Sequence, residues 1–357
     1  MKLLILSDGK PGHLNQSLGI AERMAEMTDV EYALVEIRHK SKLRDDLLRV
    51  LMRFLGWAPI PHSLARSLLI WSLTPESASE VPVNEEFDVI LSTGSSVAPV
   101  NLLLKKLIGS RSVVSLRPSP TGIAWFDLVV LPRHLWPKIR RRNIFRAVGV
   151  PNRVTPESIS RLRERIEREM KPPPRPRIGV LMGGEDRYNT IRIETAGKLI
   201  DTLVSICRDL DGELFLTTSR RTPDEVERLL EEKLSAEPRC RMLALARRGK
   251  GDIKDAVPMI LAMCDLVIVT EDSLSMVSEA ASSGKKVIIL KIDRKTRRTP
   301  RRVKMYREIC RRCGAIMCEV EELRGKILEL GRGAEVNPLR DSEEAAREIL
   351  SRFAGWG

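Results

Sequence analysis

Aromatic side chains make up only 4% of this 357-residue chain, too few for a stacking platform that would hold single-stranded nucleic acid. Long apolar runs are missing as well. The first, from Leu3 to Leu6, stops at Ser7 and Asp8, which reads against both a membrane span and a secretory leader. Histidine is scarce, with four in all and none after His134. The cluster Cys310, Cys313 and Cys318 therefore lacks the fourth ligand of a zinc site and reads as a helix end followed by a buried strand; no metal is expected. The six cysteines are scattered and read as buried thiols in a reducing, cytoplasmic setting. Gln16 is the only glutamine, and scarce amides beside abundant charge suggest a thermophilic source. Neither G-x-G-x-x-G nor G-x-x-x-x-G-K-[ST] occurs, so neither a nicotinamide site nor a P-loop is supported and no cofactor is expected.

What is present is the balance of a globular protein, 43% hydrophobic and 31% charged. The length suits two domains of roughly 150–180 residues. Lys and Arg number 61 against 48 Asp and Glu, a formal charge of +13, which favours an anionic partner such as nucleotide phosphates or an acidic bilayer. Short apolar strands alternate with helical patterns almost throughout, the grammar of parallel sheets covered on both faces. Strands are expected at Lys2–Ser7, Glu31–Ile37, Asp88–Leu91, Ser112–Leu116 and Leu128–Leu131, with helices at about 14–27, 42–56, 62–73 and 96–108. A charged helix and the proline run ending at Pro176 then form a stiff spacer. The pattern restarts with strands at Ile178–Met182, Glu213–Thr217, Met242–Leu245, Leu266–Thr270 and Val287–Leu290. The division is thus a first domain 1–150, a linker 151–176, a second domain 177–335, and a last helix within 336–357 that could cross back to the first domain. The fold class is α/β: two Rossmann-like αβα domains facing a central cleft, without a transmembrane segment.

The loops after the strands carry the chemistry. Ser7 to Gln16 leaves the first strand with Gly9 and Gly12 near a helix start, a place for an anion. His13 stands there as the best general base of the chain, with Asp8 as the alternative. Thr93, Gly94 and Ser95 form a small neutral cradle before another helix. In the second half, Gly183 and Gly184 repeat the sequence of strand, glycine turn and helix. In the loop Thr217–Pro223, Ser219 and Thr222 could cap a helix, and Arg220 could fork onto a phosphate. The stretch from Asp265 to Ala280 delivers Thr270, Asp272, Ser273 and Ser275 to a sheet edge. It places Glu279 one turn beyond Ser275, where a carboxylate could accept both ribose hydroxyls.

These residues carry a resemblance. Asp8-Gly9-Lys10-Pro11-Gly12-His13 with Asn15-Gln16, Thr217 to Pro223, and Thr270 to Ser273 with Ser275-Met276 and Glu279-Ala280 resemble the mitochondrial-fission "elongated mitochondria" family. The likeness covers nearly the whole chain. That family is similar to GT-B glycosyltransferases, including the undecaprenyl-diphospho-muramoylpentapeptide N-acetylglucosaminyltransferase type. The resemblance implies that His13 is the acceptor-side base and that Gly94 and Ser95 belong to an acceptor-phosphate loop. It also implies that Arg220 lies at the diphosphate and Glu279 at the ribose. The first loop departs from the transferases, since Lys10 and Pro11 make it stiffer and less glycine-rich. Plant members are associated with recruiting a dynamin-related protein to mitochondria, so the fold could also serve without chemistry.

Leu43, Leu47, Val50, Leu51 and Phe54 line one helical face opposite Lys42, Asp46, Arg49 and Arg53, and Leu64, Leu68 and Trp71 mark a second stripe. With the basic runs at 138–146 and 294–304 they could localise the protein to the inner face of a membrane; the plainer reading packs 42–73 on the first sheet. Nucleic acid is not an expected partner. The combined expectation is a metal-independent GT-B-type transferase. It would move a sugar from a nucleotide-diphosphate donor, held by Gly183, Gly184, Ser219, Arg220, Thr270, Asp272, Ser273, Ser275 and Glu279, to a membrane-proximal or lipid-linked hydroxyl near Gly12, Thr93, Gly94 and Ser95. The alternatives are a nucleotide-sugar epimerase of the same fold and a non-catalytic membrane adaptor.

Overall fold

Two six-stranded parallel sheets organise the chain. A computed structural model describes residues 1–169, 176–331, 333 and 335–354. The chain divides into two compact units, Met1–Arg153 with the segment from Arg340 onward, and Val154–Leu339. The expected proline-rich spacer at 171–175 lies outside the described residues.

In the first unit the order is β1 (Lys2–Ser7), α1 (Pro11–Met27), β2 (Glu31–Glu36), α2 (Lys42–Leu55), α3 (His62–Ser72), α4 (Pro75–Glu80), β3 (Val89–Thr93), α5 (Ala98–Ile108), β4 (Arg111–Ser115), β5 (Leu128–Leu131) and β6 (Ile144–Arg146). The second unit runs α6 (Pro156–Glu169), β7 (Arg177–Leu181), α7 (Ile193–Asp209), β8 (Glu213–Thr217), α8 (Asp224–Leu234), β9 (Cys240–Ala244), α9 (Ala256–Met263), β10 (Leu266–Thr270), α10 (Leu274–Ser282), β11 (Lys286–Leu290), α11 (Val303–Cys313), β12 (Ile316–Cys318) and α12 (Leu323–Gly331). The last helix, α13 (Asp341–Phe353), belongs to the first unit.

Strand order is β2-β1-β3-β4-β5-β6 in one sheet and β12-β11-β10-β7-β8-β9 in the other. Each unit therefore has one place where the winding reverses, between β1 and β3 and between β7 and β10. At such a point the loops diverge and leave a crevice at the carboxyl edge. The first strand supplies both faces of its unit's core by alternation: Leu4 and Leu6 pack with Leu48, Met52 and Leu69, whereas Leu3 and Ile5 pack with Ile20, Ala345 and Ile349.

Two expectations are corrected, and for segment 42–73 the plainer of the two readings holds. Helix α1 begins at Pro11, whose fixed φ suits a first turn, so Gly12 and His13 are helical rather than loop residues. Pro223 precedes α8 as its cap residue, and no side chain of the preceding turn caps it. Segment 42–73 packs on the sheet through Leu48, Met52, Ala65 and Leu69, while Leu43, Leu47, Val50, Leu51 and Phe54 are exposed. The apolar arc of α2 is broad enough to contain a covered side and an uncovered one. Strand β6 and helix α4 were not expected; three residues beside Arg141 and Arg142 acquire strand geometry only through pairing with β5.

All six cysteines are free thiols, and burial holds Cys310 and Cys318 up at about 11. No helix among the described residues is long and apolar enough to cross a membrane.

Helix α13 closes the first unit through its first turn. The buried Asp341 carboxylate accepts from the backbone N–H of Val148 at 2.7 Å and of Gly149 at 2.6 Å. Ser342 Oγ accepts from Asn152 N at 2.8 Å and donates to Asn152 O at 2.7 Å. Removing one carboxylate orphans two buried donors, a loss of about 3 kcal/mol. Asp341→Ala is thus expected to lower hydrogen-exchange protection at Val148 and Gly149 by roughly a hundredfold, while β7 and β10 keep theirs.

Candidate functional site

The crevice of the first sheet is built around the contact between Asp8 and His13. Asp8 follows the end of β1 and His13 lies in the first turn of α1, so strand end and helix start bring the two together. His13 Nδ1 stands 3.1 and 3.0 Å from the two Asp8 oxygens, and Lys10 Nζ lies 2.7 Å from Oδ2. Burial pushes the Asp8 carboxyl up, but the hydrogen bonds and charges of His13 and Lys10 outweigh it and hold it at about 2. Whenever the imidazole carries a single proton, an ionised Asp8 holds that proton on Nδ1 and leaves the Nε2 lone pair open. Nε2 is then the open lone pair of the contact, and the Asp8 carboxylate orients the ring through Nδ1.

Gly94 explains why the second loop carries a glycine. Its φ is +93°, and an added Cβ would stand 2.6 Å from His13 Cε1. The imidazole thus rests against the Thr93–Ser96 loop. Ser95 is half-buried, but Thr93 is not available to a ligand: its hydroxyl pairs with Ser17 Oγ at 2.7 Å inside the unit. The carbonyl of Gly12 accepts from Gln16 at 3.2 Å, and Gln16 Oε1 accepts from Ser115 at 3.1 Å. The only glutamine therefore ties α1 to β4. Beside this crevice, Ser96 donates to Asp45 of α2 at 3.1 Å, and buried His39 contacts Ser72 Oγ at 2.7 Å and Ser96 O at 3.2 Å. No motif signalled this cluster.

In the second unit the expected donor residues separate into two groups. One group bonds to itself. Gly183 N donates to Thr270 Oγ1 at 2.7 Å, and Gly184 N to Asp272 Oδ2 at 2.9 Å. Thr270 donates to Asp272 Oδ1 at 2.7 Å, and the Asp272 side chain is fully buried. An added Cβ on Gly183 would overlap that carboxylate. The backbone amides expected to face a phosphate are thus engaged by the chain itself, Gly183 N by the Thr270 hydroxyl and Gly184 N by the Asp272 carboxylate. Arg221, not Arg220, closes the group with Nη2 at 2.8 Å from Asp272. Burial raises the Asp272 carboxyl despite Thr270, Arg221 and the amide. Thr222 donates to Gly183 O and accepts from Ser219 N; Ser219 Oγ accepts from Arg221 N at 3.2 Å. Ser219 and Thr222 therefore fix the turn rather than cap α8.

The other group is less buried. Arg220 is exposed after β8 and has no ion pair or hydrogen bond among the described residues. Ser273 caps α10, accepting from Met276 N at 3.4 Å. Ser275 is half-buried in the first turn of α10, and Glu279 is half-buried one turn on. A third cluster was invisible in the sequence. Buried Glu271 accepts from Asn189 at 3.1 Å and from Arg294 at 3.0 Å, its backbone oxygen accepts from Tyr306, and Arg302 bridges Asp186 and Asn189. Burial raises the Glu271 carboxyl against the pull of Arg294. Among the described residues no three His, Cys, Asp or Glu side chains converge to hold a metal ion.

Because the folded Asp8 titrates below an unfolded carboxylate near 3.9, its contribution is present above about pH 4 and fades as pH falls toward about 2. Asp8→Asn is expected to lower stability by about 2 kcal/mol at neutral pH. Denaturation curves taken at successively lower pH should show the gap from the parent narrowing.

The fold has relatives among solved structures. UDP-GlcNAc 2-epimerase from Methanocaldococcus jannaschii shares 16% identity with a TM-score of 0.60, over 99% of this chain and 100% of that one. The epimerase from Rickettsia bellii shares 13% with a TM-score of 0.52, over 100% and 96%. The glycosyltransferase SnogD from Streptomyces nogalater shares 15% with a TM-score of 0.50, over 99% and 96%. These likenesses show a GT-B-like α/β fold. In sequence, the mitochondrial fission protein ELM1 of Arabidopsis thaliana is 22% identical over 292 residues, 75% of this chain. The match spans 65% of that protein, just under two thirds of its length. The family model "Mitochondrial fission ELM1" matches residues 11–353, and the chain belongs to that family.

Proposed function

We propose that the protein is a glycosyltransferase that moves a sugar from a nucleotide-diphosphate donor to a hydroxyl acceptor at a membrane surface. The observation that carries the reading is the Asp8–His13 pair, an imidazole oriented through Nδ1 with Nε2 open at the winding reversal of the first sheet. A fold shared with proteins whose names include UDP-GlcNAc 2-epimerase and glycosyltransferase supports a nucleotide sugar as substrate.

In this mechanism Nε2 takes the acceptor hydroxyl proton as the oxygen bonds to the anomeric carbon. The bond from that carbon to the diphosphate breaks, and its electron pair leaves with the nucleotide. Arg220 and the N-terminus of α10 near Ser275 meet the charge that develops there, without help from a metal, and Glu279 accepts from the ribose. Gly183, Gly184, Thr270 and Asp272 hold the loop behind these residues. The acceptor side is consistent with a membrane surface: the Thr93–Ser96 loop bonds through Ser96 to the start of α2, whose outer apolar face is exposed.

A second reading, a non-catalytic membrane adaptor, is favoured by one observation, the carboxylate of Asp272 already seated on Gly184 N. Calorimetry with a panel of nucleoside diphosphates separates the two. The transferase binds at least one of them, and Arg220→Ala weakens it roughly ten- to a hundredfold. His13→Ala keeps donor affinity and loses roughly a hundredfold or more in turnover. Binding of none sinks the transferase, and conversion of the donor without an acceptor moves the reading to an epimerase.

A further inference from the structure

Among the described residues, the outer sides of α2 and α3 leave a run of large apolar side chains uncovered on the first unit. Leu43, Phe54 and Trp57 are 67%, 64% and 68% exposed, and Ile70 is 62% exposed. Leu47, Val50 and Leu51 fill the stripe between the first two. From Leu43 to Phe54 the stripe is about 16 Å long at the helical rise. Contiguous exposure on this scale marks an interaction surface.

Its charge says which kind. Residues 38–73 carry seven Lys and Arg against two Asp, and Asp45 and Asp46 both pair with Arg49. The stripe ends at a cavity of about 520 Å³ lined by Arg53, Phe54, Arg117, Trp125 and Arg141, with no acidic side chain in its wall. Arg53 donates to Pro120 O at 3.3 Å. Arg117 and Arg141 are exposed and have no ion pair or hydrogen bond from their guanidiniums among the described residues. Three guanidiniums on an apolar and aromatic floor suit a phosphate that arrives with its own hydrocarbon. A protein partner would need carboxylates for the cavity and apolar side chains for the stripe at once, whereas an anionic bilayer presents both everywhere.

We propose that this face docks on an anionic membrane. The apolar stripe of α2 enters the headgroup boundary, and the Arg53, Arg117 and Arg141 cavity receives the phosphate of a lipid headgroup. The site specifies the membrane-proximal acceptor of the proposed function but uses none of the donor residues, so either can fail alone.

Co-sedimentation of the full chain with vesicles tests it, using phosphatidylcholine alone and phosphatidylcholine mixed with phosphatidylglycerol. The parent is expected to bind the mixed vesicles and not the zwitterionic ones. At about 1 kcal/mol per basic residue, the Arg117→Gln, Arg141→Gln double variant should bind roughly thirtyfold more weakly. Leu47→Asp with Phe54→Asp should abolish binding, with an unchanged thermal melt confirming the fold. Arg140→Gln with Arg142→Gln should cost clearly less; an equal loss would mean diffuse charge and overturn the cavity. Inorganic phosphate at constant ionic strength should not displace the protein, and displacement would assign the cavity to a free phosphate. Absence of vesicle binding by the parent, or full binding by the aspartate variant, overturns the proposal.

Discussion

Parallel strands cannot be joined by tight turns. Each must be followed by a crossover that returns to the same end of the sheet, and those crossovers share one hand. A chain that winds first one way and then the other from its opening strand must leave that strand inside the sheet, with helices departing to opposite faces. Both units obey this constraint, which puts β1 and β7 at the two reversals. Within each unit, the loops that leave the carboxyl edge at its reversal are near one another because the backbone has no other way to close.

The two reversals are filled differently. In the first, buried polar groups pair with one another: Ser17 with Thr93, Gln16 with Ser115, and the Asn101 amide nitrogen with Ser92. One imidazole remains half-accessible against a side-chain-free residue. In the second, a carboxylate sits on the glycine amide and an arginine covers it. Desolvation works against the charge of Asp272 and Glu271 alike and outweighs the guanidinium and hydrogen bonds that oppose it at each. A site built from such pairs is rigid, since a buried pair broken at one member costs far more than the pair contributes when intact.

How much of this was legible depends on the range over which the cause acts. The alternation of strands and helices was, because apolar periodicity is local and strong. His13, Gly94 and Arg220 were legible as residue types at strand ends. The partition between Arg220 and Arg221 was not: which of two adjacent arginines turns inward is set by the Ser219–Thr222 turn. The network of Asn189, Glu271 and Arg302 joins residues 82 and 113 positions apart, beyond any spacing rule. In α2 the helical pattern gave an apolar arc but not which part of it the sheet covers, and the covered part is the narrower side holding Leu48 and Met52.

Helix α13 lies against α1, and Ala345, Ala346 and Ile349 share a core with Leu3, Ile5 and Ile20. These residues leave the ribosome only after the entire second unit has been made. During synthesis the first unit is therefore a sheet with one face unfinished, and the second can mature before it. Assembly of this protein runs against the amino-to-carboxyl order usual for multidomain chains. The nascent polypeptide carries an uncovered groove along α1 until its own tail arrives, which makes that groove a natural place for a chaperone to hold.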